Sequence, residues 1–322
     1  MTMKRSQRDH GPIERALRSA GPPILWDGGI GTALIARGLE LAKEPPEAWL
    51  WSHPDELLTI HRGFVDADVD VLQTNSFGLV RLLASDLLPR GKLGQSRSLR
   101  AWVGRSVELA RQAMATDEKR SRWLVAALGP TGQVGLSTEH LRSCYRAVTE
   151  AFAEQGVDAL HLETCFDPSE LRLALSVVRE VAPSLPLFVS VTVTHGQQGL
   201  ETPLGVPLAR MLQELDAEPP ELLGVNCSQN AERMRGAVTA LADWAQASGR
   251  KLPVLARPQL YNGSPDCKRP PKEISPERFA RELFALLGDG ATAIGGCCGV
   301  TAEHLAAVRQ TIEGFFSPPS TL

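Results

Sequence analysis

The 322-residue sequence predicts an α/β protein that folds as a single (β/α)8 TIM barrel. Three observations predict this class. Short apolar runs alternate with longer amphipathic segments, and this alternation is typical of βαβ units with parallel strands. There are eight such runs, and eight parallel strands that are each followed by a helix close into a barrel. Polar residues and cysteines stand directly after the runs, at the strand ends where such barrels carry their chemistry.

The strands are predicted from short runs that are rich in aliphatic side chains and are bounded by polar residues, glycine or proline. Since none of these runs is long enough to form a helix, we assign each of them to one strand. The predicted strands are Ile24–Asp27, Asp70–Thr74, Leu124–Leu128, Ala159–Glu163, Leu187–Val193, Leu222–Asn226, Val254–Ala256 and Thr292–Gly295.

The helices are predicted from apolar residues at three- and four-residue spacing. Ser137, Asp167 and Ser275 precede three of them, where a side-chain oxygen can cap free backbone N–H groups. Pro168 and Pro276 fit the first helical turn. The predicted helices are Pro54–Val65, Leu99–Met114, Thr138–Gln155, Pro168–Val181, Leu208–Leu215, Ala231–Ala247, Pro276–Leu287 and Ala302–Ile312.

Composition restricts the classes of partner and the cellular setting. We expect an N-terminal extension over 1–20, the barrel over 21–314 and a disordered tail over 315–322. The net charge of −3 does not favour nucleic acid or an anionic membrane as a partner. No apolar run reaches the roughly 18 residues that a membrane helix needs, and the polar N-terminus does not predict a secretory signal. The six cysteines are unevenly spaced, which favours free thiols in a reducing cytoplasm over a disulfide framework.

The stretch Gly295-Gly296-Cys297-Cys298-Gly299 directly follows the last predicted strand. Two adjacent cysteines can supply two ligands to one metal ion only if the backbone bends sharply, and flanking glycines permit such a bend. Zinc in an active site usually takes three protein ligands and leaves a fourth position open. We therefore interpret Cys297 and Cys298 as zinc ligands; buried packing or a vicinal disulfide are the alternative readings.

A third ligand is needed, and the best candidate is Cys227. It ends the sixth predicted strand, so it should lie on the same face of the barrel as the cysteine pair. His195 is a weaker candidate because a lone histidine is more often a solvated residue. Cys144, Cys165 and Cys267 lack partners at a suitable spacing, and we interpret them as structural.

Two carboxylates, Asp27 and Glu163, end the first and fourth predicted strands. They either anchor loop N–H groups or bind a cationic group of a substrate, such as an α-ammonium. Gly28 and Gly29 could expose backbone N–H groups to an anion. His161 precedes Glu163 by two residues, so it should share its strand face at a deeper level, where it orients Glu163 or fills the barrel.

With these stretches in place, the chain resembles the homocysteine S-methyltransferase family. This family includes the zinc-dependent barrel of cobalamin-dependent methionine synthase, betaine–homocysteine methyltransferase and the enzymes that use S-methylmethionine. The resemblance spans residues 24 to about 304, and the last of its motifs is highly specific. The matching stretches are Asp27-Gly28-Gly29-Ile30-Gly31-Thr32, Gln73-Thr74-Asn75-Ser76-Phe77-Gly78, Gly129-Pro130-Thr131-Gly132, Glu163-Thr164, Gly224-Val225-Asn226-Cys227 and Gly295-Gly296-Cys297-Cys298-Gly299.

The resemblance implies a role for each matching residue. It implies that Cys227, Cys297 and Cys298 bind Zn²⁺. It also implies that Asp27 and Glu163 hold the amino group of homocysteine, that amides near Gly28 and Gly29 bind its carboxylate, and that Asn75 belongs to the substrate site. One loop departs from the family: where an Asn-Ala-Gly-type sequence is usual, residues 257–265 read Arg-Pro-Gln-Leu-Tyr-Asn-Gly-Ser-Pro. The thiol acceptor is therefore not assigned from the resemblance alone.

The chemistry that follows is the transfer of a methyl group to a thiol. Zinc binding deprotonates a coordinating thiol, so the substrate sulfur would attack an activated methyl group as a thiolate, and no protein residue need act as general base. The methyl donor is expected to be a methylated corrinoid protein, with a small donor such as S-methylmethionine or betaine as the alternative. A zinc hydrolase and a non-catalytic partner subunit are the competing classes.

Overall fold

A computed structural model describes residues 11–88, 98–117, 120–197, 199–227, 229–250, 252–260 and 274–316. Eight parallel strands form the barrel, as predicted, and their bounds differ from the predicted ones only at the ends. A short antiparallel hairpin, β6 (Thr194–Gly196) and β7 (Gly199–Glu201), follows the fifth strand and was not predicted. The barrel strands are β1 (Ile24–Leu25), β2 (Val71–Gln73), β3 (Trp123–Leu128), β4 (Ala159–Cys165), β5 (Leu187–Val191), β8 (Leu222–Asn226), β9 (Val254–Arg257) and β10 (Ala293–Ile294).

The sheet closes on itself. Its strands are hydrogen-bonded in the order β1-β10-β9-β8-β5-β4-β3-β2, and all of these pairs are parallel. The two ends of this sheet meet where Trp26 pairs with Val71 in a parallel bridge. The Asp27 N–H also donates to the Val71 carbonyl oxygen at 3.1 Å. The (β/α)8 barrel is therefore confirmed.

Helices surround the barrel, and every predicted helix is present. The side chains of Ser137, Asp167 and Ser275 accept hydrogen bonds from N–H groups of the first helical turns, which confirms the predicted caps. Among the described residues, four short helices were not predicted: α1 (Pro12–Leu17), α2 (Ile30–Ile35), α3 (Trp49–Ser52) and α5 (Leu79–Ala84). The others are α4 (Pro54–Asp66), α6 (Leu99–Met114), α7 (Thr138–Ala153), α8 (Pro168–Val181), α9 (Leu208–Gln213), α10 (Ala231–Ala247), α11 (Pro276–Ala285) and α12 (Ala302–Phe316).

The described segments nearest to the two ends of the chain are helical. Helix α1 lies within the stretch that we assigned to an N-terminal extension, and its Ile13 and Leu17 are buried against residues of the barrel interior, among them Trp26 and Phe188. Phe315 and Phe316, which we assigned to the tail, belong to α12. Residues 1–10 and 317–322 lie outside the described residues. Within the described part of the chain, no helix combines the length and the apolar character that crossing a membrane requires.

Candidate metal centre and acceptor site

Three cysteine thiols meet at the C-terminal end of the barrel. Cys227 follows β8, and Cys297 and Cys298 follow β10, so the two segments approach across the intervening strand β9. The three sulfur atoms lie within 4.8 Å of one another. The Sγ atoms of Cys227 and Cys298 are 3.8 Å apart. None of the five described cysteines forms a disulfide bond, so the alternative of a vicinal disulfide is not realised in this structure; Cys267 lies outside the described residues.

Backbone hydrogen bonds between three strand ends hold these thiols together. The Cys227 N–H donates to the Arg257 carbonyl oxygen at 3.1 Å, and the Cys297 N–H donates to the Pro258 carbonyl oxygen at 2.9 Å. In return, the Cys298 carbonyl oxygen accepts from the Leu260 N–H at 2.9 Å. The loop after β9 therefore connects the two cysteine segments and fixes their relative position.

One cysteine of the cluster and one neighbouring residue have a left-handed backbone. Cys227 and Thr164 each have a φ of +61°, a conformation that is uncommon outside glycine and that is concentrated at functional sites. The Asn226 side chain stabilises this arrangement, because its Oδ1 accepts from the Thr164 N–H at 3.0 Å and its Nδ2 donates to Thr164 Oγ1 at 2.8 Å. The same Nδ2 lies 4.0 Å from Cys297 Sγ. Asn226 therefore links the left-handed turn at Thr164 to the cysteine cluster.

The glycines of the last motif have a packing role as well as a conformational one. A Cβ atom on Gly296 would overlap with the side chain of Val300. Gly299 has a φ of +83°, which a residue with a side chain rarely adopts. On the facing strand end, a Cβ atom on Gly29 would lie 2.6 Å from the Cys297 carbonyl oxygen. Gly29 therefore permits the close approach of the two loops, whereas Gly296 and Gly299 permit the fold of the cysteine loop itself.

The donor set fits a tetrahedral soft metal ion. Four zinc–sulfur bonds of about 2.3 Å at tetrahedral angles place neighbouring sulfur atoms about 3.8 Å apart, which is the separation of Cys227 and Cys298. Hydrogen bonding with the Cys227 thiol, together with burial, raises the pKa of the Cys297 thiol to about 12. Interactions with the other two thiols also raise the pKa of Cys298 well above its usual value. The thiols are therefore protonated at neutral pH, and a bound cation such as zinc would be needed to keep three adjacent groups as thiolates.

Asp27 and Glu163 lie at the same end of the barrel, and an arginine joins them. Arg257 Nη2 donates to Asp27 Oδ1 at 2.9 Å, and Arg257 Nη1 donates to Glu163 Oε2 at 3.1 Å. The Arg257 Nε donates to the Gly296 carbonyl oxygen at 2.9 Å. Burial raises the pKa of Asp27 to about 7, and the Arg257 guanidinium opposes this rise. Burial likewise raises the pKa of Glu163, again against the effect of Arg257.

A chain of buried polar groups continues from Glu163 into the barrel. Gln73 Nε2 lies 3.5 Å from Glu163 Oε2 and 3.2 Å from His161 Nδ1, while His161 Nε2 lies 2.8 Å from Ser190 Oγ. Burial and the Arg257 charge lower the pKa of His161 well below its usual value, so this histidine is neutral. Because Gln73 donates to Nδ1, the proton resides on Nε2. His161 therefore positions Gln73, which contacts Glu163, in agreement with its predicted orienting role.

A cavity of about 300 Å³ opens above these groups. Gly28, Gly29, Asn75 and Glu163 line it, whereas Asp27 is fully buried and does not belong to the lining. The three cysteines and Arg257 line one side of this cavity. The end of β2 and the loops after β1 and β2 contribute further lining residues: Ile30, Gly31, Thr32, Leu41, Pro46, Glu47, Gln73, Thr74, Phe77 and Arg81.

Sequence reasoning missed Arg257, Gln73 and Asn226 as parts of the site. A signal existed for Arg257, since it directly follows the apolar run of the seventh predicted strand, as Asp27 and Cys227 follow theirs. Gln73 and Asn226 were included in strands but were given no role. Their side chains act on other residues of the site, and such roles depend on neighbours that are distant in the sequence.

Comparison with known proteins agrees with this geometry. The homocysteine S-methyltransferase family model matches residues 24–312. The methionine synthase of Mycobacterium leprae is 27% identical over 314 residues, which cover 90% of this chain and 24% of that protein. The methionine synthase of Mycobacterium tuberculosis is 27% identical over 319 residues, or 92% of this chain and 25% of that protein. This chain therefore spans about a quarter of the length of these curated relatives.

Solved structures show the same architecture. The homocysteine methyltransferase MmuM from Escherichia coli, in its apo form, is 25% identical with a TM-score of 0.68, and the match covers 92% of this chain and 98% of that chain. The metallated form of the same enzyme is 24% identical with a TM-score of 0.72, and the match covers 92% of this chain and 99% of that chain.

The barrel with its cluster of three thiols is thus that of a methyltransferase family that acts on thiols. The chain belongs to the homocysteine S-methyltransferase family.

Proposed function

We propose that this protein is a zinc-dependent thiol S-methyltransferase that converts homocysteine to methionine in the cytoplasm. The observation that carries the proposal is the cluster of Cys227, Cys297 and Cys298 at the wall of an open cavity, with sulfur atoms within 4.8 Å of one another. When bound there, zinc supplies a Lewis acid that lowers the pKa of a coordinating thiol. The free thiols support a reducing compartment.

The residues of the chain supply binding and orientation in this proposal. The three cysteines would hold the ion, and a catalytic zinc with three protein ligands can accept a substrate sulfur as the fourth. Glu163 lines that cavity and Asp27 lies beneath it, and we assign both to the amino-acid end of the acceptor. Backbone amides at Gly28 and Gly29 are assigned to the acceptor carboxylate.

Asn75 is assigned to the same site. Its side chain also donates to the Pro46 carbonyl oxygen at 3.0 Å. It therefore connects the loops that follow β1 and β2, both of which line the cavity.

For the methyl donor we propose a methylated corrinoid protein that docks at the barrel mouth. Exposed apolar side chains in loops after the barrel strands support docking of a macromolecule: Leu41, Phe77, Val134 and Leu204 are each at least 38% exposed. Residues 89–97 and 261–273, which belong to the loops that must leave the mouth accessible, lie outside the described residues. The alternative, a small donor such as S-methylmethionine or betaine, is favoured by the size of the cavity, about 300 Å³.

A zinc hydrolase is a weaker candidate. Catalytic zinc that activates water is usually held by histidine and carboxylate ligands. No histidine occurs among the described residues that line the cavity, and the three groups close enough to share an ion are all thiols. A thiolate-rich donor set favours transfer to sulfur over activation of water.

The test is a donor panel with the zinc-loaded protein and homocysteine, read out as methionine. The panel contains S-methylmethionine, betaine, S-adenosylmethionine, methylfolate and a methylated corrinoid protein. Cys298→Ser should abolish turnover, whereas Cys144→Ser, which alters a buried thiol on α7, should leave it intact. Robust methionine formation from a small donor alone would exclude the corrinoid requirement. No methylation with any donor, combined with turnover of esters or amides, would instead favour the hydrolase.

A further inference from the structure

The position predicted for the α-ammonium of the acceptor already contains a cation. Arg257 lies between Asp27 and Glu163 and donates one hydrogen bond to each, at 2.9 and 3.1 Å. The second oxygen of Asp27, Oδ2, accepts from the Gln73 N–H at 2.7 Å. Both oxygens of Asp27 are therefore engaged, and the carboxyl group is fully buried beneath the arginine.

An ammonium group could bridge the two carboxylates only if Arg257 left its position. That departure would break three hydrogen bonds of a side chain that is only 5% exposed, including the bond from Nε to the Gly296 carbonyl oxygen. Gly296 directly precedes Cys297, so the same movement would disturb the metal-binding segment. Breaking a buried, charge-assisted pair by moving one partner is costly, because it leaves the other charge uncompensated.

From these contacts we infer that Arg257 is a specificity-determining residue, a built-in cation that replaces the α-ammonium of the acceptor. This inference rests on the proposed function and specifies its acceptor class: thiols with a terminal carboxylate, for which an α-amino group is dispensable. A guanidinium has five N–H groups, and the contacts with Asp27, Glu163 and Gly296 use three of them. The other two are available to an acceptor oxygen, since Arg257 lines the cavity.

The sequence agrees with this assignment. Arg257 begins the loop that departs from the family, whereas the motifs around Asp27, Glu163 and the three cysteines are those of the family. The chain thus combines the usual metal cluster and carboxylates with an arginine placed between those carboxylates. We therefore expect the chain to retain the metal chemistry of the family and to differ in its preference for the thiol acceptor.

The experiment compares the binding of homocysteine with that of 4-mercaptobutanoate, which is homocysteine without its amino group. Dissociation constants are measured by calorimetry on the zinc-loaded protein, and kcat/KM is measured for both thiols with whichever donor is active. We expect the unmodified protein to bind the two thiols within about threefold of each other. R257Q exposes the carboxylates to the ammonium of homocysteine. The preference for homocysteine over 4-mercaptobutanoate should then rise by at least about tenfold, because one charge-assisted hydrogen bond contributes that much to affinity.

Two further variants keep the test decisive. The double variant Arg257→Gln/Asp27→Asn removes the uncompensated buried charge, retains Glu163, and should show the same shift if R257Q alone is unstable. The matched control is Arg309→Gln on α12. Arg309 is a buried arginine that does not line the cavity. Its Nη2 lies 2.7 Å from Asp70 Oδ2, and its Nε lies 3.7 Å from Asp68 Oδ2. This variant should lower the melting temperature without changing the ratio of the two dissociation constants.

The outcomes separate this inference from the proposed function. If the unmodified protein prefers homocysteine by more than tenfold, or if the Arg257 variants leave the ratio unchanged, the inference is wrong while the methyltransferase proposal stands. If neither thiol binds to the zinc-loaded protein, the proposed function fails and the acceptor inference fails with it. Equal binding that becomes a preference for homocysteine only in the Arg257 variants establishes the role of the arginine.

Discussion

Replacing any one of Cys227, Cys297 or Cys298 by serine should weaken zinc binding severely. Among the described residues, these three thiols form the only cluster of three or more metal-ligating side chains whose ligand atoms are close enough to share one ion. Apparent zinc-binding free energies of four-ligand sites are about 10–16 kcal/mol, or about 2.5–4 kcal/mol for each ligand. Losing one thiolate should therefore raise the dissociation constant roughly a hundredfold to a thousandfold.

The assay is competition with a chromophoric chelator of known affinity, together with elemental analysis of each variant after dialysis. One zinc ion per chain is expected for the unmodified protein. Cys144→Ser is the matched control, because Cys144 is a buried thiol on α7 that lies beside His140 rather than beside the cluster. Full zinc occupancy in all three cluster variants, at an unchanged affinity, would refute the assignment of the metal centre.

Further predictions concern the carboxylates, a buried histidine and a close glycine contact. Asp27→Asn and Glu163→Gln should raise the KM of the thiol acceptor while zinc content stays at the unmodified level; loss of zinc with normal acceptor binding would mean that the carboxylates serve the metal. His61 is fully buried on α4, both its ring nitrogens lack a hydrogen-bond partner among the described residues, and burial lowers its pKa to about 4. Since the unfolded chain binds the proton more readily, up to about 3 kcal/mol of stability should be lost as the pH falls from 6.5 to 4. His61→Leu should flatten the dependence of the unfolding free energy on pH over this range, and an unchanged slope would contradict the reasoning. Gly29→Ala should lower both the melting temperature and the zinc affinity, because its Cβ would lie 2.6 Å from the Cys297 carbonyl oxygen. If this variant has the melting temperature and zinc affinity of the unmodified protein, the loops after β1 and β10 can separate without cost.

The sequence by itself determined the barrel and the metal cluster. Alternation of apolar runs and amphipathic segments is a local property, and eight repetitions leave few ways to bury every apolar face. Strand ends of a parallel barrel share one face, so cysteines that follow the sixth and eighth predicted strands had to approach each other. Cys227 and Cys298 could therefore be assigned to one site although they are 71 residues apart along the chain.

Short local structure was beyond the reach of these patterns. Helices α2 and α5 each have six residues, which is less than two turns, so their sequences show no helical period. They form because the loops after β1 and β2 pack over the barrel mouth, and tertiary contacts of this kind override local propensity. The same two loops contribute residues to the lining of the cavity.

Only the tertiary structure decided the partner of each charge at the barrel mouth. Asp27 and Glu163 had the right place in the sequence for binding an ammonium, and nothing local distinguishes a free carboxylate from a paired one. Arg257 is 230 residues from Asp27 and 94 from Glu163 along the chain, yet its guanidinium bonds to both. Periodicity reports which face a side chain occupies, whereas the choice among several groups on that face depends on distances that exist only after the barrel has closed.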